Sequence, residues 1–187
     1  NFIYMTKPGD TSVFIIDPDF TSRVYTANHI HSIYSQYSGK AMKLDYNGGL
    51  RYECATRKLI FSGSEGTHRL NLSNLFPSAS LFYSITGNWK LKVAYSRRIQ
   101  RTKNNELNPL PEREHSETLE QGDADLLPEF IHLAELGITR QFKGGSFFST
   151  AYYQEIKNPI QRVNSVFNDS ILNRIYTNAD RARLWGI

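Results

Sequence analysis

His29 and His31 are the first residues in this chain whose type and spacing could bind a metal ion. Residues two apart on an extended strand point to the same face, so both imidazoles would be available to one ion. Neither a carboxylate nor a third histidine lies within easy reach in the sequence. We therefore interpret the pair as polar residues at the rim of a strand, and we predict no metal site.

Two further groups of ligand-type residues lead to the same conclusion. The run from Glu112 to Glu117 is rich in charged side chains, which is typical of a solvated loop. Asp123 and Asp125 have the spacing of a calcium-binding loop, but its glycine and its other ligand positions are missing. The sequence contains no catalytic motif of the common kinds, so we predict neither enzymatic activity nor a cofactor.

The basic run from Arg97 to Arg101 could indicate nucleic-acid binding. In a strand, however, alternation puts Arg98 on the face of Lys90 and Lys92, whereas Arg97 and Arg101 lie on the other face. The net charge of the chain is only +4 and is scattered. We therefore interpret the run as charges at a strand end, near a membrane surface or a charged partner, and predict no nucleic-acid partner.

The element that positions many of these charges is the segment from Met42 to Glu53, whose alternate positions have opposite chemistry. Such a strand has one apolar and one polar face. Its twelve residues exceed the usual 5–6 of a strand and match the roughly 9–11 that a tilted strand needs to cross a bilayer. One face carries Met42, Leu44, Tyr46, Gly48, Leu50 and Tyr52, and the other carries Lys43, Asp45, Asn47, Gly49, Arg51 and Glu53.

Composition favours such strands over helices. The 187 residues include 11 Tyr, 11 Phe and 2 Trp, yet the mean hydropathy is only −0.47. No window approaches the roughly 18 consecutive apolar residues of a transmembrane helix. The single cysteine, Cys54, excludes both an intrachain disulfide and a thiolate zinc site.

Short turns and long polar stretches alternate along the chain, which predicts an all-β, antiparallel up-and-down meander. The short turns are predicted at Ser38–Lys40, Thr86–Asn88 and Lys143–Gly145. The long stretches are Lys7–Phe20, Arg57–Asn74, Lys103–Leu126 and Asn158–Leu172, with Glu112–Gln121 expected as a loop or a short helical turn. The predicted strands are Phe2–Thr6, Ser22–Ser38, Ala41–Thr56, Leu75–Thr86, Trp89–Arg101, Pro128–Phe142, Ser146–Lys157 and Asn173–Ile187.

Several short motifs, in order along the chain, resemble the barrel of TonB-dependent receptors, in particular the outer-membrane β-barrel proteins of this type that abound in Bacteroidetes. The resemblance covers roughly Ile30 to Ile187, although the family usually has proline where this chain has Thr102. The motifs are Leu50-Arg51-Tyr52-Glu53, Asn74-Leu75-Phe76-Pro77-Ser78, Tyr95-Ser96-Arg97-Arg98-Ile99-Gln100-Arg101, Gly122-Asp123-Ala124-Asp125-Leu126-Leu127-Pro128-Glu129 with Glu135-Leu136-Gly137, and Ala151-Tyr152-Tyr153 with Lys157-Asn158-Pro159-Ile160.

The resemblance implies a receptor with a signal peptide, a plug domain and a 22-stranded barrel in the bacterial outer membrane. Residues 1–187 would form a single partial domain, an internal fragment of about eight strands, with short periplasmic turns and long extracellular loops. The implied partners are outer-membrane lipid, the receptor's own plug domain, the TonB system and a small nutrient. The identity of that nutrient and the residues that bind it stay open.

Alternation and distance from the turns assign roles to individual residues within such a barrel. Charged side chains predicted to line the lumen or meet the plug are Lys43, Asp45, Arg51, Glu53, Lys90 and Lys92. Aromatic rings predicted at the membrane–water boundaries are Tyr37 and Trp89 beside the short turns, and Tyr52 and Tyr95 toward the outer boundary.

Two other functions stay open from the residues alone. One is an outer-membrane barrel without a plug, acting as a passive channel or as a structural component. The other is a soluble all-β binding module on the cell surface. The soluble module requires Leu44, Leu50, Leu91 and Val93 to pack in a sealed interior, whereas a barrel exposes them as an outer band.

Overall fold

A computed structural model of the chain describes residues 4–7, 10–16, 24–61, 67–110, 112–115, 118–168 and 171–187. These residues form β-strands and one short 3-10 turn at Asn105–Leu107, and no helix among them is long and apolar enough to cross a membrane. The strands are β1 Tyr4–Lys7, β2 Asp10–Ile16, β3 Val24–Ala41, β4 Leu44–Phe61, β5 Thr67–Thr86, β6 Trp89–Gln100, β7 Glu112–His115, β8 Thr118–Gln121, β9 Glu129–Phe142, β10 Gly145–Lys157, β11 Ile160–Asn168, β12 Ile171–Asn178 and β13 Arg181–Gly186.

Seven of these strands form one large antiparallel sheet in the order β13-β10-β9-β6-β5-β4-β3. The seven strands are arranged across this sheet in their order along the chain, with the strands of the four-stranded sheet inserted after β6 and β10, which confirms the predicted up-and-down meander. The sheet does not close on itself, and β3 and β13 are its two edges. The fold is therefore a segment of a barrel wall.

Three two-residue turns connect strands at one end of the large sheet, which we call the turn end; the opposite end is the loop end. The second and third turns, Gly87–Asn88 and Lys143–Gly144, lie where the sequence predicts them. The first prediction is wrong, because β3 continues to Ala41 and the chain turns at Met42 and Lys43. Gly39 stays within the strand instead, where the ring of Tyr46 occupies the space that a Cβ atom would need.

The strands are inclined to the line of turns. Lys43 of the first turn lies beside Ser84, and the second turn begins three residues later; Asn88 lies beside Gln141, and the third turn begins two residues later. Successive turns are two strand spacings of about 4.8 Å apart, and each is displaced along the strands by two to three residues of about 3.3 Å. If all turns lie at one level, this displacement corresponds to a strand tilt of about 40°. Transmembrane barrels have strands tilted by about 35–45°.

The strands near the loop end differ most from the prediction. Arg57–Asn74, expected as a loop, contains the end of β4 and the start of β5. Asn158–Leu172 contains β11, and Lys7–Phe20 contains β2. The end of β4, the start of β5 and β11 carry polar residues among the apolar ones on both faces, and the apolar residues of β2 are consecutive, so the regular alternation that marks a half-buried strand is missing there.

Three other segments are also corrected. Glu112–Gln121 forms β7 and β8 rather than a loop or a helical turn, although residues 116 and 117 lie outside the described part. Asn173–Ile187 is two strands, of which only β13 joins the large sheet. In the predicted strand Phe2–Thr6, the first two residues lie outside the described part, and the rest pairs with β2 rather than with the large sheet.

A four-stranded sheet in the order β11-β12-β8-β7 covers the loop end, with β12 and β8 parallel. A small apolar core joins it to the large sheet, and Val24 and Ile160 pack against that core. The residues of this loop-end core are Leu59, Phe61, Leu107, Ala124, Leu126 and Tyr176. The chain thus buries its apolar core at one end of the sheet.

Candidate functional site

The large sheet has two chemically different faces, which follow from the strand register. On β4, the odd-numbered residues from Asp45 to Phe61 share one face and the even-numbered residues from Leu44 to Ile60 share the other. Pairing carries this division across all seven strands. We call the two sides the polar face and the apolar face.

A buried carboxylate lies at the centre of the polar face. Glu53 is only 4% exposed and forms an ion pair with Arg101, and its second oxygen lies 3.6 Å from Arg51. The guanidinium of Arg51 lies over the ring of Phe76, 4.8 Å from its centroid. Because an unpaired buried charge is costly, the two arginines offset the cost of burying this carboxylate within the sheet.

Lys92 and Glu135 form a second ion pair on the polar face, with 3.1 Å between Nζ and Oε2. Lys90 lies on the same face and pairs in register with Ser84. A depression of about 520 Å³ lies over these strands, and it is lined by Asn47, Arg51, Ser80, Lys92, Arg98 and Glu135, among others. Polar and charged groups, together with aromatic rings such as those of Phe76 and Phe82, therefore line a concave space on this side of the sheet.

The first two residues of the predicted lumen group lie near the turn end. Asp45 is on the polar face, with its carboxylate 3.5 Å from Lys40. Lys43 is part of the first turn, where its Nζ donates to the carbonyl of Ile85 over 3.5 Å, so strand alternation does not assign it a face. The lumen-lining role of all six charged residues stays a prediction.

The apolar face is open. Leu50, Leu75, Leu81, Val93 and Leu136 are between 43% and 54% exposed. None of the buried apolar residues in the described part of the chain lies on this face; Leu59, Phe61 and Phe76 belong to the polar face. The band is therefore not the interior of a sandwich. A soluble all-β module requires these residues to pack in a sealed interior, and this requirement is not met.

The length of the apolar band on β5 matches a membrane. Every second residue from Leu75 to Ile85 is apolar, and polar residues replace them from Ser73 toward the loop end. Ten residues at about 3.3 Å each, tilted by about 40°, give a height of about 25 Å. The apolar band of an outer-membrane barrel is about 25 Å tall.

Aromatic residues lie at both limits of this band on the apolar face. Toward the loop end, the hydroxyl of Tyr52 lies 2.5 Å from Ser73 Oγ, and that of Tyr95 lies 2.9 Å from His132 Nδ1. Both hydroxyls thus meet the first polar row beyond the band. Their role as membrane-interface residues stays a prediction.

Near the turn end, Trp89 and Tyr37 lie on the apolar face as well. The Arg140 guanidinium lies 5.0 Å from the ring centroid of Trp89, and the rings of Tyr37 and Tyr46 are 5.9 Å apart. The predicted interface role of Trp89 and Tyr37 is likewise untested by these contacts.

Arg57 is a site residue that sequence reasoning missed, because its segment was interpreted as a polar loop. Its guanidinium donates to Thr102 Oγ1 over 2.7 Å and to the carbonyls of Ala124 and Leu126 over 3.1 and 2.8 Å. Burial lowers the pKa of Arg57, while Asp125 and Asp123 act in the opposite direction. Arg57 thereby fastens segment 122–128 to the large sheet.

In the part of the chain that the structure describes, the ligand-type residues do not assemble into a metal site. His29 and His31 share the apolar face of β3, at the level of Thr56 and Cys54. Among the described residues, no group of three or more histidine, cysteine, aspartate or glutamate side chains could hold a metal ion. Asp125 instead lies 3.1 Å from His68 Nδ1.

Comparison with known proteins agrees with this architecture. The model of a family described as "Outer membrane protein beta-barrel family" matches residues 1–187. None of the curated proteins compared with the sequence matches it. Among solved structures, the chain is similar to the Serratia marcescens hemophore receptor HasR in complex with its hemophore HasA and heme, with a TM-score of 0.66 and 15% identity over 85% of this chain and 31% of that one.

Two further structures share the fold. The copper transporter OprC has a TM-score of 0.65 and 16% identity, covering 95% of this chain and 26% of that one. The siderophore receptor PirA from Pseudomonas aeruginosa has a TM-score of 0.57 and 16% identity, covering 88% and 39%. The chain thus spans roughly a quarter to two fifths of the length of these proteins.

Proposed function

The chain belongs to the outer membrane protein beta-barrel family, and on this premise we propose that it forms part of the wall of a TonB-dependent receptor that imports a scarce nutrient. The family resides in the bacterial outer membrane. The observation that carries the proposal is the two-faced sheet, because a band about 25 Å tall faces lipid while the concave polar face remains for a lumen. A transport role also agrees with the names of HasR, PirA and OprC.

The orientation of the sheet follows from its two ends. Outer-membrane barrels have short periplasmic turns and longer extracellular loops. The turn end of this sheet would therefore face the periplasm, and the loop end with its four-stranded sheet would face the medium. Asp45, Arg51, Glu53, Lys90 and Lys92 would then lie on the lumen side and Lys43 at its periplasmic edge. The ion pairs of Glu53 and Glu135 would face the plug domain.

The nutrient class is proposed from the same three neighbours, whose names include heme, a siderophore and copper. A metal or metal complex is thus the first class to test. The ligand would meet the loop end first, and movement of the plug, energised through TonB, would then admit it to the lumen.

Uptake by the full-length protein in its own host tests this proposal. We expect deletion of the gene to reduce accumulation of radiolabelled heme, ferric siderophore or copper, and complementation to restore it. Collapse of the inner-membrane proton gradient should stop accumulation while surface binding persists.

A passive channel gives the opposite result in the same experiment. Its flux would rise linearly with ligand concentration and would be insensitive to a protonophore. Unchanged uptake of all three ligand classes on deletion would contradict the proposed nutrient class.

A further inference from the structure

Three basic residues on β10 and β13 lie just beyond the apolar band, on the same face as the band. The register pairs Arg183 with Glu155 and Arg181 with Lys157. One row nearer the turn end, the same two strands pair Tyr153 with Trp185. We call Lys157, Arg181 and Arg183 the basic cluster.

The cluster has an excess of positive charge. A single carboxylate oxygen, Glu155 Oε2, lies 3.4 Å from Arg181 Nη1 and 3.4 Å from Arg183 Nε. Lys157 makes no ion pair within the part of the chain that the structure describes. The side chains of the two arginines are 40% and 59% exposed, so donors remain available to an outside anion.

The height of the cluster coincides with a lipid headgroup layer. Each row on these strands is two residues long, which is about 5 Å of height at a tilt of about 40°. Arg183 is therefore about 5 Å, and Arg181 and Lys157 about 10 Å, beyond the Tyr153–Trp185 row. A headgroup layer adds about 5–7 Å on each side of the hydrocarbon core.

The basic cluster is not a general property of the rim of this sheet. On β4 and β5, the first rows beyond the band pair Cys54 with Ser73 and Thr56 with Asn71, all of them uncharged. Arg97 of β6 lies in the same row as His132, Glu155 and Arg183, but its guanidinium donates to the carbonyl of Leu75 and to Asn74 Oδ1. The exposed basic side chains of this row and the next therefore lie on β10 and β13. A local concentration of this kind favours one bound anion over a diffuse surface attraction.

We propose that the basic cluster binds the phosphate of a lipid A headgroup in the outer leaflet of the outer membrane. Arginine forks match phosphate oxygens in a bidentate manner, and Lys157 adds a third charge. Acyl chains would then lie along the apolar face beside Tyr153 and Trp185. The inference rests on the orientation in the proposed function, and it is independent of the nutrient.

Native mass spectrometry of the full-length protein in detergent micelles tests the proposal, with monophosphoryl lipid A as the probe. The test variant is Arg181→Gln/Arg183→Gln. The matched control is Lys40→Gln/Lys143→Gln, which removes the same charge at the turn end. We expect about 30-fold weaker retention of lipid A in the test variant, from about fivefold per charge near an anionic lipid surface, and no change in the control.

Further arms separate the sources of phosphate and guard against misfolding. Arg181→Lys/Arg183→Lys should recover most of the binding, and Lys157→Gln, which breaks no ion pair, should lose about fivefold on its own. Lipid A with its phosphate removed should bind as weakly as the test variant binds the intact lipid. Folding of each variant is checked by the heat-dependent shift of the barrel in gel electrophoresis.

Several results would overturn the proposal: equal retention by the test variant and the wild type, equal loss in the control, or equal binding of the dephosphorylated lipid. Displacement of lipid A by an equal concentration of inorganic phosphate would also overturn it, since the cluster would then be a simple anion site. Nutrient uptake is measured separately on the same variants. A chain that binds lipid A but imports nothing would contradict only the proposed function.

Discussion

Replacing Arg57 by methionine should release segment 122–128 from the large sheet. Arg57 is half-buried on β4 and donates three hydrogen bonds to that region, to one hydroxyl and two main-chain carbonyls. Methionine retains most of the aliphatic volume but leaves both carbonyls without this donor. The apolar contacts of Leu59 with Leu107 and Leu126 stay in place, so the change isolates the polar contribution.

The expected magnitude follows from those three bonds. A hydrogen bond to a charged group contributes roughly 1.5–3 kcal/mol when buried. Because the Arg57 side chain is only half-buried and water can replace part of the loss, we expect a total of about 3 kcal/mol. The opening equilibrium of the segment should therefore rise by about 150-fold.

Trypsin added to intact cells measures this opening, with cleavage after Lys103 followed by peptide mass spectrometry. Cleavage requires local unfolding of the surrounding chain, so its rate follows the open population when closing is fast. Arg57→Lys keeps the charge without the fork and should be intermediate. Arg69→Met on β5, whose exposed side chain donates to Asn71 Oδ1 of the same strand, is the matched control and should behave as wild type.

An Arg57→Met protein that is cleaved at the wild-type rate would refute the clamp. Complete resistance of every variant on intact cells, together with cleavage after the outer membrane is permeabilised, would instead show that the loop end faces the periplasm. The two conclusions are therefore separable in one experiment.

Three other predictions address the band, the loop end and its pH dependence. Leu81→Arg on the apolar face should destabilise the full-length barrel by about 2–4 kcal/mol in lipid, whereas Ser80→Arg on the polar face should cost much less; urea unfolding in vesicles compares the two. Gly122→Ala should loosen the loop end, since its Cβ would lie 2.6–2.7 Å from main-chain atoms of segment 106–108, and trypsin cleavage after Lys103 should again increase. Burial and donation to Glu120 raise the pKa of Tyr176 to about 12. Because this pKa is above the unfolded value of about 10, the protonated Tyr176 stabilises the folded chain fully below pH 10, and this contribution is lost as the pH rises toward 12. The difference in phenolate absorbance between wild type and Tyr176→Phe should therefore have its midpoint near pH 12. A midpoint near 10 would contradict the buried hydrogen bond.

The membrane-facing half of the fold could be predicted from sequence because alternation is strongest there. Leu44, Leu50, Leu91 and Val93 lie on one open face, as period-2 patterning requires. The first turn was predicted at the wrong residues because glycine occurs both in turns and at strand positions where a neighbouring side chain needs room. A turn needs its backbone freedom, but Gly39 instead leaves room for the ring of Tyr46 on the neighbouring strand, and only the cross-strand register reveals that use.

The loop end could not be predicted in the same way, because its contacts join residues far apart in sequence. Arg57 meets Thr102 and Leu126, which are 45 and 69 positions away. Nothing in the local pattern around Arg57 distinguishes it from a solvated arginine. The sequence therefore predicted the two faces of the sheet but not the contacts between distant segments at the loop end.

The division between these two ends has a definite position in the sheet. Pairing of β5 with β6 stops at Ser78 and Ser96, although both strands continue toward the loop end. Arg97 bridges the gap, with Nη1 3.1 Å from the carbonyl of Leu75 and its guanidinium 5.8 and 5.0 Å from the ring centroids of Phe76 and Phe130.

At the turn end the whole sheet is joined by main-chain hydrogen bonds, whereas beyond Ser78 the β3–β5 and β6–β13 portions of the described sheet are joined through side chains. Side-chain contacts such as Arg97 to Leu75, or Arg101 to Glu53, are fewer and more easily hydrated than a continuous ladder. The part of the band between Ser78 and the turn end is therefore expected to be the most stable part of this wall, and the loop end is the part that local substitutions such as Arg57→Met can open.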